Sequence, residues 1–166
     1  MEELNQILNK QQRQVHTNIS DLKSKDEIKQ LVGFMIDNEE YAIPILSIQE
    51  IIKPIEYTRV PSVPDYVLGV FNMRGNVIPL IDLAKKFGLA SSKQTQHTRY
   101  IVLRGEEGSI GFVIDKLTEA IKIKASNIDQ PPETLLKEKG MIEGIGKQKN
   151  GILTILKVEA LMKRDF

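Results

Sequence analysis

The sequence predicts a mainly β protein built from two small five-stranded barrels that pack together, with short helices and an N-terminal extension. Ile outnumbers Leu, an excess of β-branched residues that favours strands. The second half also echoes the first: the segment that starts at Gly69-Val70 recurs 75 residues later at Gly144-Ile145. Each copy spans about 60–70 residues, and one barrel of that size buries little core, so two are expected to pack together.

The first copy starts with a hairpin and a third strand. Apolar residues alternate over 32–36 and again over 41–45, with the polar turn 37–40 between them. A mixed apolar and acidic run over 47–53 predicts the third strand. Three prolines then break the regular structure and predict an exposed connection, at Pro54, Pro61 and Pro64.

A second hairpin and a short helix complete this copy. The strand Val67–Met73 is followed by the turn Arg74-Gly75-Asn76 and by a return strand over 77–81. Asp82 is placed to cap a helix over 83–87, which Gly88 ends.

The second copy repeats this order of elements. Its strand patterns lie at 100–103, 110–114, 117–123, 141–146 and 152–156, with a hairpin turn at Asn150-Gly151. The predicted domain covers 29–164, divided into a first barrel at about 29–89, a linker at 90–98, a second barrel at about 99–156 and a closing helix at 157–164.

Residues 1–28 form an extension of different composition, rich in Gln and Asn. Its apolar residues fall roughly on one helical stripe, at Leu4, Leu8, Val15, Ile19 and Leu22. Two interpretations stay open: an amphipathic helix that docks on a partner, or a frayed or disordered tail.

Composition excludes several classes of protein. The 166 residues carry a net charge of +1, with 41% hydrophobic and 27% charged residues, as in ordinary globular proteins. The absence of Cys excludes disulfide scaffolds and thiol catalysis. The N-terminus is acidic and no apolar run approaches the length of a membrane span, so we expect a cytoplasmic protein without membrane insertion.

Catalytic patterns are weak, so we expect no enzyme, no metal and no cofactor. The two histidines, His16 and His97, lie in polar segments. Gly144-Ile145-Gly146 resembles the start of a dinucleotide fingerprint, but a strand follows it where a helix should begin. Paired acids such as Glu106-Glu107 fall in predicted turns, where solvated side chains are expected.

Polar residues on otherwise apolar strands are the better functional candidates. Asn72 and Arg74 lie at a hairpin tip, where Arg can pair with a partner carboxylate or tie its own barrel together. Ile48, Glu50 and Ile51 mix apolar and acidic side chains beside a break in the sheet, which is typical of a docking surface or of a core edge.

The order of these motifs resembles the CheW-like domain family of bacterial chemotaxis. The resemblance rests on Glu39-Glu40-Tyr41-Ala42-Ile43-Pro44-Ile45, on Gly69-Val70-Phe71-Asn72-Met73-Arg74-Gly75 and on Val77-Ile78-Pro79-Leu80-Ile81-Asp82-Leu83. In the second half it continues with Gly111-Phe112-Val113-Ile114-Asp115 and covers about 29–161.

This resemblance implies two SH3-like barrels with a groove between them and a non-catalytic adaptor function. The implied partners are the cytoplasmic tip of chemoreceptors, the regulatory domain of the histidine kinase CheA, and further copies of the adaptor. The implied partner-binding residues are Ile48, Glu50, Ile51, Gly69, Asn72, Arg74, Gly75, Leu117 and Ala120.

Two alternatives stay beside this interpretation. One is a paralogous adaptor of the same family that serves a chemosensory pathway other than chemotaxis. The other is a nucleic-acid-binding barrel, for which Lys116, Lys122 and Lys124 come nearest to a basic stripe. The neighbouring acids and the near-zero net charge disfavour it, so no nucleic-acid partner is expected.

Overall fold

The computed structural model describes residues 3–6, 27–91, 93–132, 140–148 and 151–166. Residues 3–6 are helical, and the rest of the predicted extension up to residue 26 lies outside the described residues. The predicted turn at Asn150-Gly151 also falls partly outside them.

The described strands form two sheets, which confirms the two predicted units; one has the predicted five strands, and the other has six because the short segment Ile128–Asp129 adds an edge strand that the sequence did not predict. The five-stranded sheet contains β3 (Ile48–Ile52), β4 (Val67–Met73), β5 (Asn76–Asp82), β6 (Arg99–Gly105) and β7 (Gly108–Ile114), in the order β3-β6-β7-β5-β4. The six-stranded sheet contains β1 (Ile28–Ile36), β2 (Glu39–Pro44), β8 (Lys116–Lys124), β9 (Ile128–Asp129), β10 (Ile142–Gln148) and β11 (Gly151–Leu156), in the order β8-β1-β2-β11-β10-β9.

The sheets divide the strands differently from the two contiguous halves expected from the sequence. Hairpin β1–β2 lies in the six-stranded sheet with strands from the second half, and hairpin β6–β7 lies in the five-stranded sheet with strands from the first half. The chain changes sheets at the 3-10 turn Ile45–Ser47, immediately after β2. Hydrophobic periodicity identifies strands but not their partners, which is why the sequence did not predict this exchange.

The internal repeat is visible in the topology. The order β8-β1-β2-β11-β10 in one sheet corresponds to β3-β6-β7-β5-β4 in the other. Each sheet contains one short parallel contact at the same place, between β2 and β11 and between β7 and β5. Each barrel therefore combines the first hairpin of one repeat with the third strand and second hairpin of the other.

Three clusters of buried side chains show that each sheet curls around its own core and that the two sheets share a third. The cluster of the six-stranded sheet contains Leu31, Ala42, Ile121, Ile123, Leu153 and Ile155. The cluster of the five-stranded sheet contains Phe71, Met73, Ile78, Leu80, Tyr100 and Val102. The largest, here called the central core, takes residues from both sheets, among them Phe34, Ile43, Ile81, Leu103 and Phe112.

Two short helices pack on this framework. The helix Leu83–Lys86 follows β5, and the carboxylate of buried Asp82 caps it by accepting a hydrogen bond from the backbone N–H of Lys85. The helix Val158–Leu161 follows β11, at the equivalent place in the other repeat. Within the part of the chain that the structure describes, no helix is long and apolar enough to cross a membrane.

Candidate protein-docking site

Strand β3 carries three of the predicted site residues along the edge of the five-stranded sheet. The pairing of β3 with β6 shifts register between Ile48 and Glu50, which marks a β-bulge. Because of the bulge, Ile48 and Ile51 both pack half-buried against the central core although they are three residues apart. Glu50 is left on the opposite face of the strand.

Strand β8 presents a matching edge on the six-stranded sheet. Its pairing with β1 also shifts register, between the pair Phe34–Leu117 and the pair Val32–Ala120. Leu117 packs against the central core as Ile48 does, and Ala120 is exposed. The predicted apolar residues on β3 and β8 therefore flank the same core from two different sheets.

The turn between β4 and β5 holds Arg74 in an unusual backbone conformation. Arg74 has φ 53° and Gly75 has φ 87°, so both turn residues are left-handed. Two-residue hairpins favour this conformation because it matches the twist of the strands, but a residue with a Cβ atom adopts it at a cost of about 1 kcal/mol. The side chain of Asn72 supports the turn, since its Oδ1 accepts a hydrogen bond from the Gly75 N–H at 2.9 Å.

An ion pair joins this turn to β3. The Arg74 Nη2 lies 2.8 Å from Glu50 Oε1, although β3 and β4 stand at opposite ends of the sheet order. The pair therefore bridges the two edges of the five-stranded sheet where it curls into a barrel. The Arg74 side chain is 74% exposed and that of Glu50 26% exposed. Arg74 is thus tied to its own barrel, and most of its side chain is still exposed to solvent.

Gly69 lies behind this turn, inside the fold. Thr58 and Val70 exchange two backbone hydrogen bonds of 2.8 Å, which bring the connecting segment alongside β4. A Cβ atom at position 69 would collide with the carbonyl of Thr58 and stand 3.1 Å from the Arg59 Cα. Gly69 is accordingly required for the close approach of two backbones.

The three most exposed large apolar side chains among the described residues were missed by the sequence reasoning. Leu46, in the 3-10 turn between β2 and β3, is 97% exposed. Val77 and Ile152 are both 68% exposed, each near the start of the returning strand of its hairpin. The internal repeat could have drawn attention to Val77 and Ile152 as a pair, because the 75-residue shift that relates Gly69 to Gly144 also relates these two positions.

The largest of the open depressions described for this surface lies away from the predicted site residues. This depression, of about 650 Å³, lies between the β6–β7 turn and the C-terminal helix, with charged side chains of both signs around it. Among the described residues, no group of three or more His, Asp or Glu side chains is arranged to hold a metal ion.

The geometry defines a class of protein, a double β-barrel with an ion-paired, exposed hairpin tip and half-buried apolar residues on the edge strands of its two sheets. The sequence model of the CheW-like domain family matches residues 30–166 of this chain. The chain is 56% identical over 144 residues to the chemotaxis protein CheW of Helicobacter pylori, covering 87% of each chain. It is 34% identical over 138 residues to the chemotaxis protein CheW of Bacillus subtilis, covering 82% of this chain and 88% of that one.

A solved structure agrees with these relatives. The scaffolding protein TtCheW from Thermoanaerobacter tengcongensis superposes with a TM-score of 0.76 at 29% sequence identity, covering 82% of this chain and 94% of that one. The chain therefore belongs to the CheW-like family and is a chemotaxis scaffold, which confirms the resemblance found in the sequence.

Proposed function

We propose that this protein couples chemoreceptors to the histidine kinase CheA by binding both, and that it catalyses no reaction itself. The observation that carries the proposal is the Glu50–Arg74 pair, exposed at the end of a barrel whose β3 edge also presents apolar residues. Simultaneous binding would raise the local concentration of kinase at the receptor and let a receptor shift reach the kinase. The protein would act in the cytoplasm, at receptor arrays that it joins only through protein contacts.

The apolar edges of β3 and β8 suit the receptor. Ile48, Ile51 and Leu117 are half-buried against the central core, so each leaves apolar surface at the boundary between the sheets. A helical receptor tip can lay an apolar stripe on such a surface. Ala120 adds a small exposed side chain beside Leu117, which leaves room for a helix to approach.

The hairpin tip suits the kinase. Arg74 uses one nitrogen for Glu50, and the rest of its planar guanidinium is available to pair with a carboxylate or carbonyl of the CheA regulatory domain. Holding the side chain in place before binding reduces the entropy lost when the complex forms. The same tip could meet a further copy of the adaptor.

The test is co-sedimentation with membranes that carry chemoreceptors, with and without CheA, while kinase autophosphorylation is followed. The wild-type protein should enter the pellet with receptor and raise receptor-linked kinase activity. Ile48→Ala and Leu117→Ala should reduce pelleting with receptor alone. Arg74→Ala should reduce recruitment of the kinase, and Arg104→Ala, which removes another exposed arginine, should change neither.

A reversed pair separates the two roles of Arg74. The double variant E50R/R74E can rebuild the ion pair within the barrel but presents the opposite charge to a partner. We expect it to fold like the wild type, because an exposed pair contributes only about 0.5 kcal/mol, and to fail to recruit the kinase. Normal recruitment by E50R/R74E would show that Arg74 serves only its own barrel. Binding to neither receptor nor kinase by the wild type would point to a paralogous adaptor of another array.

A further inference from the structure

Asn72 stands at the hairpin tip but differs from Arg74 in what its side chain contacts. Its Oδ1 accepts the Gly75 N–H at 2.9 Å, so one polar atom of Asn72 is used inside the turn. Its backbone belongs to β4 and lies opposite Val77 of β5. Asn72 thus joins the last part of a regular strand to the turn residue that follows Arg74.

The conformation of the turn decides where the Arg74 side chain points. Arg74 and Gly75 are both left-handed, at φ 53° and 87°. A residue such as Arg is rare in that region, because its Cβ crowds the backbone, so neighbouring contacts must hold it there. In this conformation the guanidinium extends from the turn toward β3 and reaches Glu50 Oε1 at 2.8 Å.

We propose that Asn72 is a positioning residue of the docking site: it acts on the partner through Arg74, by locking the turn that aims the guanidinium. This inference rests on the proposed function of Arg74. It changes the sequence-based expectation that Asn72 binds the partner itself. The hydrogen bond that matters is the one from the Gly75 N–H, and any side chain with an oxygen at the same place can accept it.

The experiment is a double-mutant cycle on the affinity for the CheA regulatory domain, with the full chain and the variants N72A, R74A and N72A/R74A. If Asn72 acts only through Arg74, N72A weakens binding by about five-fold and the double variant binds no more weakly than R74A. N72D should bind like the wild type, because its carboxylate oxygen can accept the same hydrogen bond. N76A is the matched control, since Asn76 flanks the turn on its other side and is exposed.

A second measurement needs no partner. Hydrogen exchange of the Gly75 amide should accelerate in N72A and stay slow in N72D and N76A. Additive effects of N72A and R74A on affinity, or equal losses in N72A and N72D, would overturn the positioning role while leaving the site intact. Unchanged affinity in R74A would instead refute the proposed function of the tip, and the positioning role with it.

Discussion

Gly69 packs against the backbone carbonyl of Thr58 so closely that a Cβ atom at position 69 would overlap it. The contact lies where the segment after β3 crosses β4 and exchanges two hydrogen bonds with Val70. The resemblance to the family places Gly69 among the partner-binding residues, but its surroundings show a requirement of the fold. A substitution at Gly69 would move Thr58 and β4, and could therefore alter docking without touching a partner.

Gly69→Ala is accordingly expected to destabilise the protein by about 3 kcal/mol, because the obstacle is backbone that cannot rotate away. Gly144→Ala is the control from the other repeat. Its new Cβ would stand 2.5 Å from the Cγ2 of Ile128, a side-chain atom, and 3.0 Å from the backbone oxygen of Asp129, so the backbone overlap is smaller than at Gly69. Chemical denaturation should show a smaller loss for Gly144→Ala, and equal losses would contradict the steric explanation.

Phe112 should be among the residues whose truncation most weakens the contact between the barrels. It is 2% exposed and lies on β7, within the core that both sheets share. Phe112→Ala removes a large buried side chain and should cost about 4 kcal/mol of unfolding free energy. Val77→Ala, at an exposed position of the neighbouring β5, should stay within about 0.5 kcal/mol. Both values can be measured by urea denaturation.

Asp165 should raise the pKa values of two side chains that lie close to it in the fold, Lys86 and Tyr66. The ammonium of Lys86 lies 4.6 Å from the ring centre of Tyr66. Burial lowers the pKa of Lys86 and the charge of Asp165 raises it in part, while burial, Asp165 and Asp65 all raise the pKa of Tyr66. In D165N we expect both pKa values to fall. In D65N only that of Tyr66 should fall, and NMR titration of the two side chains distinguishes the outcomes.

The same shifts predict opposite effects of alkaline pH on stability. The folded chain disfavours the charged form of Lys86, so this group's contribution to stability rises with pH between its lowered folded pKa and the unfolded value of 10.5. For Tyr66 the folded pKa is the higher one. Its contribution is present below the unfolded value of 10.0 and is lost as the pH rises through the folded pKa. Y66F should therefore remove the part of the stability loss above pH 10 that comes from Tyr66. K86M should make the overall loss steeper, because it removes the opposing contribution of Lys86.

Ser91 should stabilise the connection after the first short helix. Its hydroxyl donates a hydrogen bond to Oδ2 of Asp82, a buried carboxylate whose other oxygen caps the helix Leu83–Lys86. Ser91→Ala leaves that carboxylate oxygen without its donor and should cost about 1 kcal/mol in thermal or chemical unfolding. Ser109→Ala, which removes an exposed hydrogen bond to Gln49, is the control and should cost less than about 0.5 kcal/mol.

The sequence predicted most of the strands and the helix after Asp82, because these follow from local periodicity, turn residues and caps. The 75-residue echo also predicted that two similar units pack together, and the strand orders of the two sheets agree with it. Pairing between distant strands leaves no such local signal. The exchange of hairpins β1–β2 and β6–β7 was therefore not predictable from the pattern alone.

The residues of the candidate site were selected from the sequence, but the contacts between them were not predictable from it. Glu50 and Arg74 were both selected, but their contact depends on the curl of the five-stranded sheet, which brings its two edges together. The shared face of Ile48 and Ile51 depends on a bulge, and a bulge changes the two-residue period that sequence reasoning assumes. From spacing alone, Arg74 could be an internal tie or a partner contact, and the structure shows it tied and exposed.

The exchange of hairpins sets when the chain can fold during its synthesis. The five-stranded sheet is incomplete until β7 ends at Ile114, and the six-stranded sheet until β11 ends at Leu156. The first two-thirds of the chain must therefore leave the ribosome before either barrel can close. At that stage β1 and β2 are still unpaired with β8 and β11, so their apolar faces remain uncovered. Such long-range pairing slows folding and exposes nascent strands to aggregation, so chaperones should matter more for this adaptor than for two barrels joined in tandem.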